Sequence, residues 1–152
     1  IMPSDLYDLW QNFNTGSNKI DLVAIGSPHA SITECIQFLE LLIHKNEKVI
    51  VPTILTVGRE TLSKLKDQGY LSQFSKLSIQ VVPDICWCSI TEPIFPSKTE
   101  ALITNSGKYA HYGKGLTGRN VRFGSLEACV NASINGYVDN EIPKWLMPYS
   151  AL

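Results

Sequence analysis

Ile20-Asp21-Leu22-Val23-Ala24-Ile25-Gly26-Ser27-Pro28-His29-Ala30-Ser31-Ile32-Thr33-Glu34-Cys35 is the stretch on which the fold turns. Ile20 to Ile25 is an apolar, β-branched run and predicts a buried strand. Gly26 to Ser31 is polar and carries glycine and proline, so it predicts a loop. Ser31-Ile32-Thr33-Glu34 then has the spacing of a capping box: the serine accepts from a first-turn N–H and the glutamate reaches back. Ile32, Cys35, Ile36, Leu39 and Ile43 recur on one helical face. A strand, a polar turn and a capped amphipathic helix make the first part of a βαβ unit.

The alternation continues along the chain. Val49–Val51 predicts a second strand ending at Pro52-Thr53. Arg59–Gln68 predicts a helix with Leu62 and Leu65 inward and Gly69 just past its end. Ile79–Val82, Ala101–Ile103 and Val121–Phe123 predict three more strands. Ser125 caps a last helix carrying Leu126, Cys129, Val130 and Ile134, stopped by Gly136. This spacing predicts a three-layer α/β domain with a mainly parallel sheet of four or five strands, right-handed crossovers and a strand order like 2-1-3-4. Residues 1–19 read as a lead-in, with a short packing helix through Leu6, Leu9, Trp10 and Phe13. Residues 20–136 read as the α/β domain, and 137–152 as a tail on its surface. Cys86 to Glu100 reads as an irregular excursion.

The bulk numbers fit one domain: 152 residues, 44% of them hydrophobic. A formal charge of -1 gives no footprint for nucleic acid or an anionic membrane. No apolar run approaches a membrane span, and Ile1-Met2-Pro3-Ser4-Asp5 lacks the basic-then-apolar plan of a signal peptide. Cys35 and Cys129 fall at apolar helix positions, so the four cysteines read as reduced thiols in a cytoplasmic setting.

Ligands of open parallel sheets bind outside the carboxyl ends of the strands. That edge collects Ser27, His29 and Ser31 after the first strand, and Thr53 and Thr56 after the second. It adds Asp84, Cys86 and Cys88 after the third, Asn105, Ser106 and Lys108 after the fourth, and Ser125 after the fifth. Thr104-Asn105-Ser106-Gly107-Lys108 sets a hydroxyl, a glycine and a cation where backbone N–H groups are free, a place for a carboxylate or phosphate. The Gly26–Ser31 loop is built alike, so a composite small-molecule site is expected. Each residue also has a plainer reading. Ser27 and Ser31 serve equally as helix caps, and His29 as a loop histidine. Cys86 and Cys88, two apart, suit a soft metal or are simply buried thiols. Lys108 lacks the upstream glycines of a P-loop. His111 and Tyr112 are site residues or the start of a packed helix, and Arg59, Arg119 and Arg122 read as surface charges.

Taken in order, Asp21-Leu22-Val23-Ala24-Ile25-Gly26-Ser27-Pro28-His29, Asp84-Ile85-Cys86, Thr104-Asn105-Ser106-Gly107-Lys108-Tyr109-Ala110-His111-Tyr112 and Val121-Arg122-Phe123-Gly124-Ser125-Leu126-Glu127-Ala128-Cys129-Val130 resemble the C-terminal portion of the aconitase X catalytic (large) subunit. The resemblance implies a hydro-lyase of the aconitase superfamily. Such enzymes dehydrate small hydroxy acids, such as cis-3-hydroxyproline or phosphomevalonate, at an iron–sulfur cluster or single metal. They work with a small swivelling β-domain, fused or separate. It implies Cys86 as a metal ligand, Ser27, Ser31, Asn105, Ser106, Lys108 and Ser125 as substrate-holding groups, and His29 and Lys108 as catalytic groups. The family's first loop usually reads Gly-Cys-Pro-His, its cysteine a metal-site ligand. Serine at position 27 is a poor iron–sulfur ligand, so ordinary cluster binding is not expected in this chain, and Cys88 is the alternative source of a thiolate. The family's catalytic chain is much longer, and its upstream part supplies further ligands and acid–base groups. The chain therefore reads as one domain of such an enzyme, inactive alone. The alternative is a non-catalytic aconitase X-like binding or assembly domain that has lost its cluster.

Overall fold

Alternate side chains of the central strand, Leu22–Ala30 (β1), enter two separate cores. Val23 and Ile25 pack on one side with Cys35, Phe38, Leu39 and Leu42 of Ile32–Lys45 (α2), and with Cys129 and Val130. Leu22 and Ala24 pack on the other with Trp87, Tyr109, Leu102 and Val121. A strand apolar and buried at each position from Leu22 to Ile25 belongs inside a parallel sheet covered on both faces. The computed structural model describes residues 2–149 and has that architecture.

Thr53–Val57 (β2), Ile79–Pro83 (β3), Ala101–Thr104 (β4) and Asn120–Phe123 (β5) complete an all-parallel sheet in the order β3-β2-β1-β4-β5. Arg59–Asp67 (α3) and Tyr70–Lys76 (α4) carry the chain from β2 to β3. Leu126–Asn135 (α6) packs on α2 and β1, whereas Gly107–Thr117 (α5) and a 3₁₀ turn at Trp87–Ser89 cover the other face. Among the described residues no helix is long and apolar enough to cross a membrane.

The three-layer parallel fold is as expected, but the strand order is not 2-1-3-4. After β2 the chain keeps adding strands outward, placing β3 at one edge. Only the excursion through residues 84–100 returns it to the far side of β1. The direction of winding therefore reverses between β1 and β4, and that is where the loops part to leave a crevice.

Three local readings are also corrected. The second strand is Thr53–Val57, not Val49–Val51. Ile50 and Val51 instead donate their N–H groups to the Ser133 carbonyl of α6, at 2.9 and 3.1 Å, so Thr53 and Thr56 lie buried within β2, not after it. Gly26–His29 is not a free loop but an irregularity inside β1, with pairing resumed at Ala30↔Val57. Arg122 is not a surface charge: it is 1% exposed. Its guanidinium donates to Gly16 O at 3.3 Å, Ser17 O at 3.2 Å, Asn18 Oδ1 at 3.0 Å and Asn140 Oδ1. All four acceptors are neutral, so a buried cation is solvated by segments from both ends of the chain and ties them to β5.

Residues beyond Gly136 are built into the fold as well as lying on it. Val138 N donates to Asn18 O at 2.9 Å, and Leu146 is fully buried beside the helix Pro3–Phe13 (α1). Ile1 and residues 150–152 of the expected lead-in and tail lie outside the described residues.

Among the described glycines, Gly26 has the least room for a side chain. Its φ is +86°, and a Cβ there would sit 2.6 Å from Thr56 O and 2.8 Å from Ala30 N. Gly26→Ala should cost at least ~2 kcal/mol, through left-handed strain and the clash. Denaturant unfolding of the two proteins measures this, and an unchanged midpoint would show that the irregularity in β1 is not fixed by this residue.

Candidate functional site

Trp87 organises the site. Its indole is buried, donates from Nε1 to Ile25 O at 3.0 Å, and packs against Tyr109 and Phe95 with ring centroids 5.6 and 6.3 Å away. Driving Trp87 into the core leaves Cys86 and Cys88 half-buried on either side of it, beneath the end of β1 and the start of α5. There the two thiols interact with each other, with the Ser27 hydroxyl and with the Lys108 ammonium. Ser27 Oγ is itself buried and lacks a hydrogen-bond partner of normal geometry, as does the hydroxyl of the fully buried Tyr109.

The electrostatics separate the two thiols. Burial is the largest influence on Cys86 and acts to raise it. The Cys88 backbone N–H, the Cys88 thiol, Lys108 and Ser27 together outweigh burial and hold Cys86 below the ordinary thiol range. Burial and the Cys86 sulfur raise Cys88, against a smaller opposite pull from Lys108 and Ser27. Burial, then the neighbouring Cys88, pushes Tyr109 up to about 12. The other two thiols are inert by comparison. Burial, then Glu34, pushes Cys35 up to about 12, and burial alone raises Cys129 further.

Asn105 joins the switch point together. Its Oδ1 accepts from Gly26 N at 3.4 Å and its Nδ2 donates to Glu34 Oε1 at 3.4 Å. The other Glu34 oxygen takes Ser31 N and Ser31 Oγ, each at 2.9 Å, which closes the expected capping box. Ser106 and Ser125 are caps too. Ser106 Oγ accepts from Tyr109 N at 3.3 Å, and Ser125 Oγ from Ala128 N at 3.1 Å. Thr104–Lys108 therefore leads straight into α5, and His111 and Tyr112 belong to that helix, His111 edge-on to Phe13.

The expected site residues thus divide. Ser27, Cys86 and Lys108 come together, with Ser106 two residues from Lys108 at the helix start. Asn105 and Ser125 instead line a groove of about 690 Å³, whose far wall includes Tyr137 and Trp145. Ser31 lies at the head of α2, and His29 is exposed on the other flank. A Cβ on Gly58 would lie 3.6 Å from His29 Nδ1. Asp84 is elsewhere: it binds Arg59 N at 2.9 Å and the Arg59 guanidinium at 2.6 Å, capping α3. Tyr109 and Glu34 enter the site without having been singled out as site residues. Helical spacing from Ser106 would have placed Tyr109 inward, but nothing in the sequence signals its proximity to the thiols.

Among the described residues, no three of His, Cys, Asp and Glu come together to hold a metal ion. The two sulfurs, beside an orphaned hydroxyl, fit one edge of an iron or iron–sulfur group and not a whole coordination sphere.

Several known proteins are similar to this chain in sequence or in fold. The family profile described as aconitase X third domain matches residues 20–135. Cis-3-hydroxy-L-proline dehydratase of Pseudomonas aeruginosa is 37% identical over 93% of this chain and 24% of its own length. The enzyme of that name from Hypocrea jecorina is 35% identical over 94% of this chain and 24% of its own. Phosphomevalonate dehydratase large subunit of Thermococcus kodakarensis is 30% identical over 84% of this chain and 32% of its own. The holo-form crystal structure of Thermococcus kodakaraensis aconitase X superposes with a TM-score of 0.74 at 27% identity, over 86% of this chain and 33% of that one. The chain spans about a quarter to a third of these relatives.

Native thiol alkylation checks the electrostatic picture. Cys86 should react first with iodoacetamide near neutral pH, and Cys35 and Cys129 only on unfolding. Because the Lys108 ammonium favours the Cys86 thiolate, Lys108→Gln should move the pH midpoint of Cys86 alkylation upward. An unmoved midpoint would mean that Lys108 does not act on this sulfur.

Proposed function

The chain belongs to the aconitase X family, matching its third domain, and from that premise we propose that it forms one wall of a hydro-lyase active site. The named relatives are dehydratases, and the observation that carries the reading is the Cys86–Cys88–Ser27–Lys108 cluster at the switch point of the sheet. Cys86 offers a thiolate to an iron–sulfur cluster or iron ion of the full-length enzyme. That group supplies Lewis acidity toward a leaving hydroxyl. Lys108 sets an ammonium at the head of α5, where it pairs with a substrate carboxylate or phosphate and assists as a catalytic cation. Ser106 and Ser125 keep hydroxyl protons that their caps do not consume, Ser27 keeps an unpartnered hydroxyl, and Ser31 and Asn105 hold the loop edges that border the substrate. His29, exposed on the flank, handles a proton once the rest of the subunit closes over it.

The substrate in this reading is a small hydroxy acid of the kind the relatives' names describe. The partners are the upstream part of the catalytic subunit and a small swivelling β-domain, with neither nucleic acid nor membrane. The functional unit is residues 20–136, between the lead-in 1–19 and the tail 137–152. Four free thiols suit a cytoplasmic setting. A second reading, a binding or assembly domain without catalysis, draws support from serine at position 27 and from the two-sulfur donor set.

The full-length protein, reconstituted anaerobically with iron and sulfide, should dehydrate cis-3-hydroxy-L-proline or phosphomevalonate. Cys86→Ala should lower kcat/KM at least ~100-fold, and Lys108→Met by about 10- to 100-fold, by loss of aligned charge. The isolated chain should show no turnover. Loss of iron binding and turnover alike in the reconstituted wild type would favour the non-catalytic reading.

A further inference from the structure

We propose that Arg59 is a further substrate-holding residue, whose guanidinium forks an oxyanion of the substrate, a carboxylate or a phosphate, and that Asp84 is the residue that positions it. The proposal deepens the hydro-lyase reading and rests on it for the identity of that anion.

The fold brings the two residues together from the ends of two strands. Arg59 lies just beyond the end of β2, and Asp84 directly follows β3. Both stand at the carboxyl edge of the sheet, where ligands of this architecture bind. Asp84 has a φ of +57°, a left-handed conformation that a residue with a side chain keeps only where its surroundings hold it. Here they do. Asp84 N donates to Val57 O at 2.9 Å, and Asp84 Oδ1 accepts from Arg59 N at 2.9 Å. Asp84 Oδ2 accepts from Arg59 Nε at 2.8 Å and lies 2.6 Å from Arg59 Nη2. Backbone and carboxylate alike are committed to β2 and to Arg59.

The donors of the guanidinium divide accordingly. They lie in one rigid plane. Asp84 occupies the side that bears Nε and one hydrogen of Nη2. The end edge, formed by Nη1 and Nη2, has no partner among the described residues, and the side chain is 86% exposed. That edge matches two oxygens of a carboxylate or phosphate in a bidentate fork. An exposed ion pair adds little stability, so what Asp84 chiefly fixes is the direction in which the fork points. The Lys64–Glu60 pair, by contrast, joins side chains one turn apart within α3 and orients nothing beyond that helix.

The neighbours suit a bound acid. Asp84-Ile85-Cys86 runs from this pair straight into the segment that carries the thiols. A Cβ on Gly58 would lie 3.6 Å from His29 Nδ1, so the His29 ring lies against the residue preceding Arg59. An acid forked by Arg59 through its oxyanion therefore sits on the rim that His29 shares.

The chain has three arginines, Arg59, Arg119 and Arg122, so its proton–nitrogen correlation spectrum should resolve three Nε–Hε signals. The signal missing from Arg59→Lys is that of Arg59. Arg119 Nε is bonded to Thr99 O and Arg122 is buried, which makes them internal controls. The probes are sodium phosphate and sodium acetate, each compared with sodium chloride at matched ionic strength. Both should move the Arg59 signal saturably, with half-saturation at about 1 to 30 mM, and leave the other two in place. In Asp84→Asn, shown by circular dichroism to be folded, the Arg59 signal should shift to the position of free arginine. In the full-length enzyme, Arg59→Lys keeps the charge but loses the fork, and should lower kcat/KM at least ~10-fold, mainly through KM. No saturable movement of the Arg59 signal beyond that in chloride overturns the proposal, and so does a loss confined to kcat. An unmoved Arg59 signal in Asp84→Asn overturns Asp84 as its positioning residue. The titration needs neither iron nor turnover. Saturable binding at Arg59 in a protein that never turns over would therefore end the hydro-lyase reading and leave the anion site, and turnover without binding at Arg59 would do the reverse.

Discussion

The carbonyl oxygen of Ile25 receives Trp87 Nε1 at 3.0 Å and Thr56 Oγ1 at 3.1 Å. Both donors are buried, so the oxygen leaves water without losing hydrogen bonding. The consequences spread from there. Thr56 also reaches Pro28 O at 3.1 Å and so holds the irregular end of β1 against β2. Trp87 brings the segment after β3, which begins two strands away, back under the end of β1. Without that anchor Cys86 and Cys88 would have no reason to lie beside Ser27. The chemistry-bearing cluster depends on one indole driven into an apolar core that alternate residues of β1 help to form.

The fold class was legible because its signals are local. β-Branched runs at Ile20–Ile25 and Ile79–Val82, the Ser31/Glu34 box and the Ser125 cap each act within a few residues, and each has its expected counterpart in the structure. Strand order was not legible, since which side of β1 receives β3 or β4 depends on crossover paths that no local pattern encodes. Val49–Val51 misled because its apolar, β-branched composition is that of a strand, while its N–H groups are claimed by Ser133 from a helix distant in sequence. Arg122 misled because a lone arginine ordinarily faces water. Its neutral acceptors come from residues 16–18 and 140, more than 15 positions away.

The site was legible as a set of loops and less so as an arrangement. Residue types alone suggested anion-holding serines. The structure gives Ser31, Ser106 and Ser125 a structural task as helix caps, which fixes their oxygen positions; Ser31 also commits its hydroxyl proton to Glu34. Asn105 likewise spends both ends of its amide on the switch point. Lys108 and the two half-buried cysteines carry the less committed chemistry, with the unpartnered Ser27 hydroxyl beside them. Rigidity thus falls to the caps, and the uncommitted groups gather in this cluster.

The central claim is that the ends of β1 and β3 meet at one point through Trp87, so that positions 27 and 86 share a site. Ser27→Cys in a Cys88→Ser background tests it directly, by mild oxidation followed by mass spectrometry of the alkylated protein. The account predicts rapid formation of a disulfide between the introduced thiol at position 27 and Cys86, suppressed by Cys86→Ala. Persistence of both thiols as separately alkylated, in a folded protein, would contradict it.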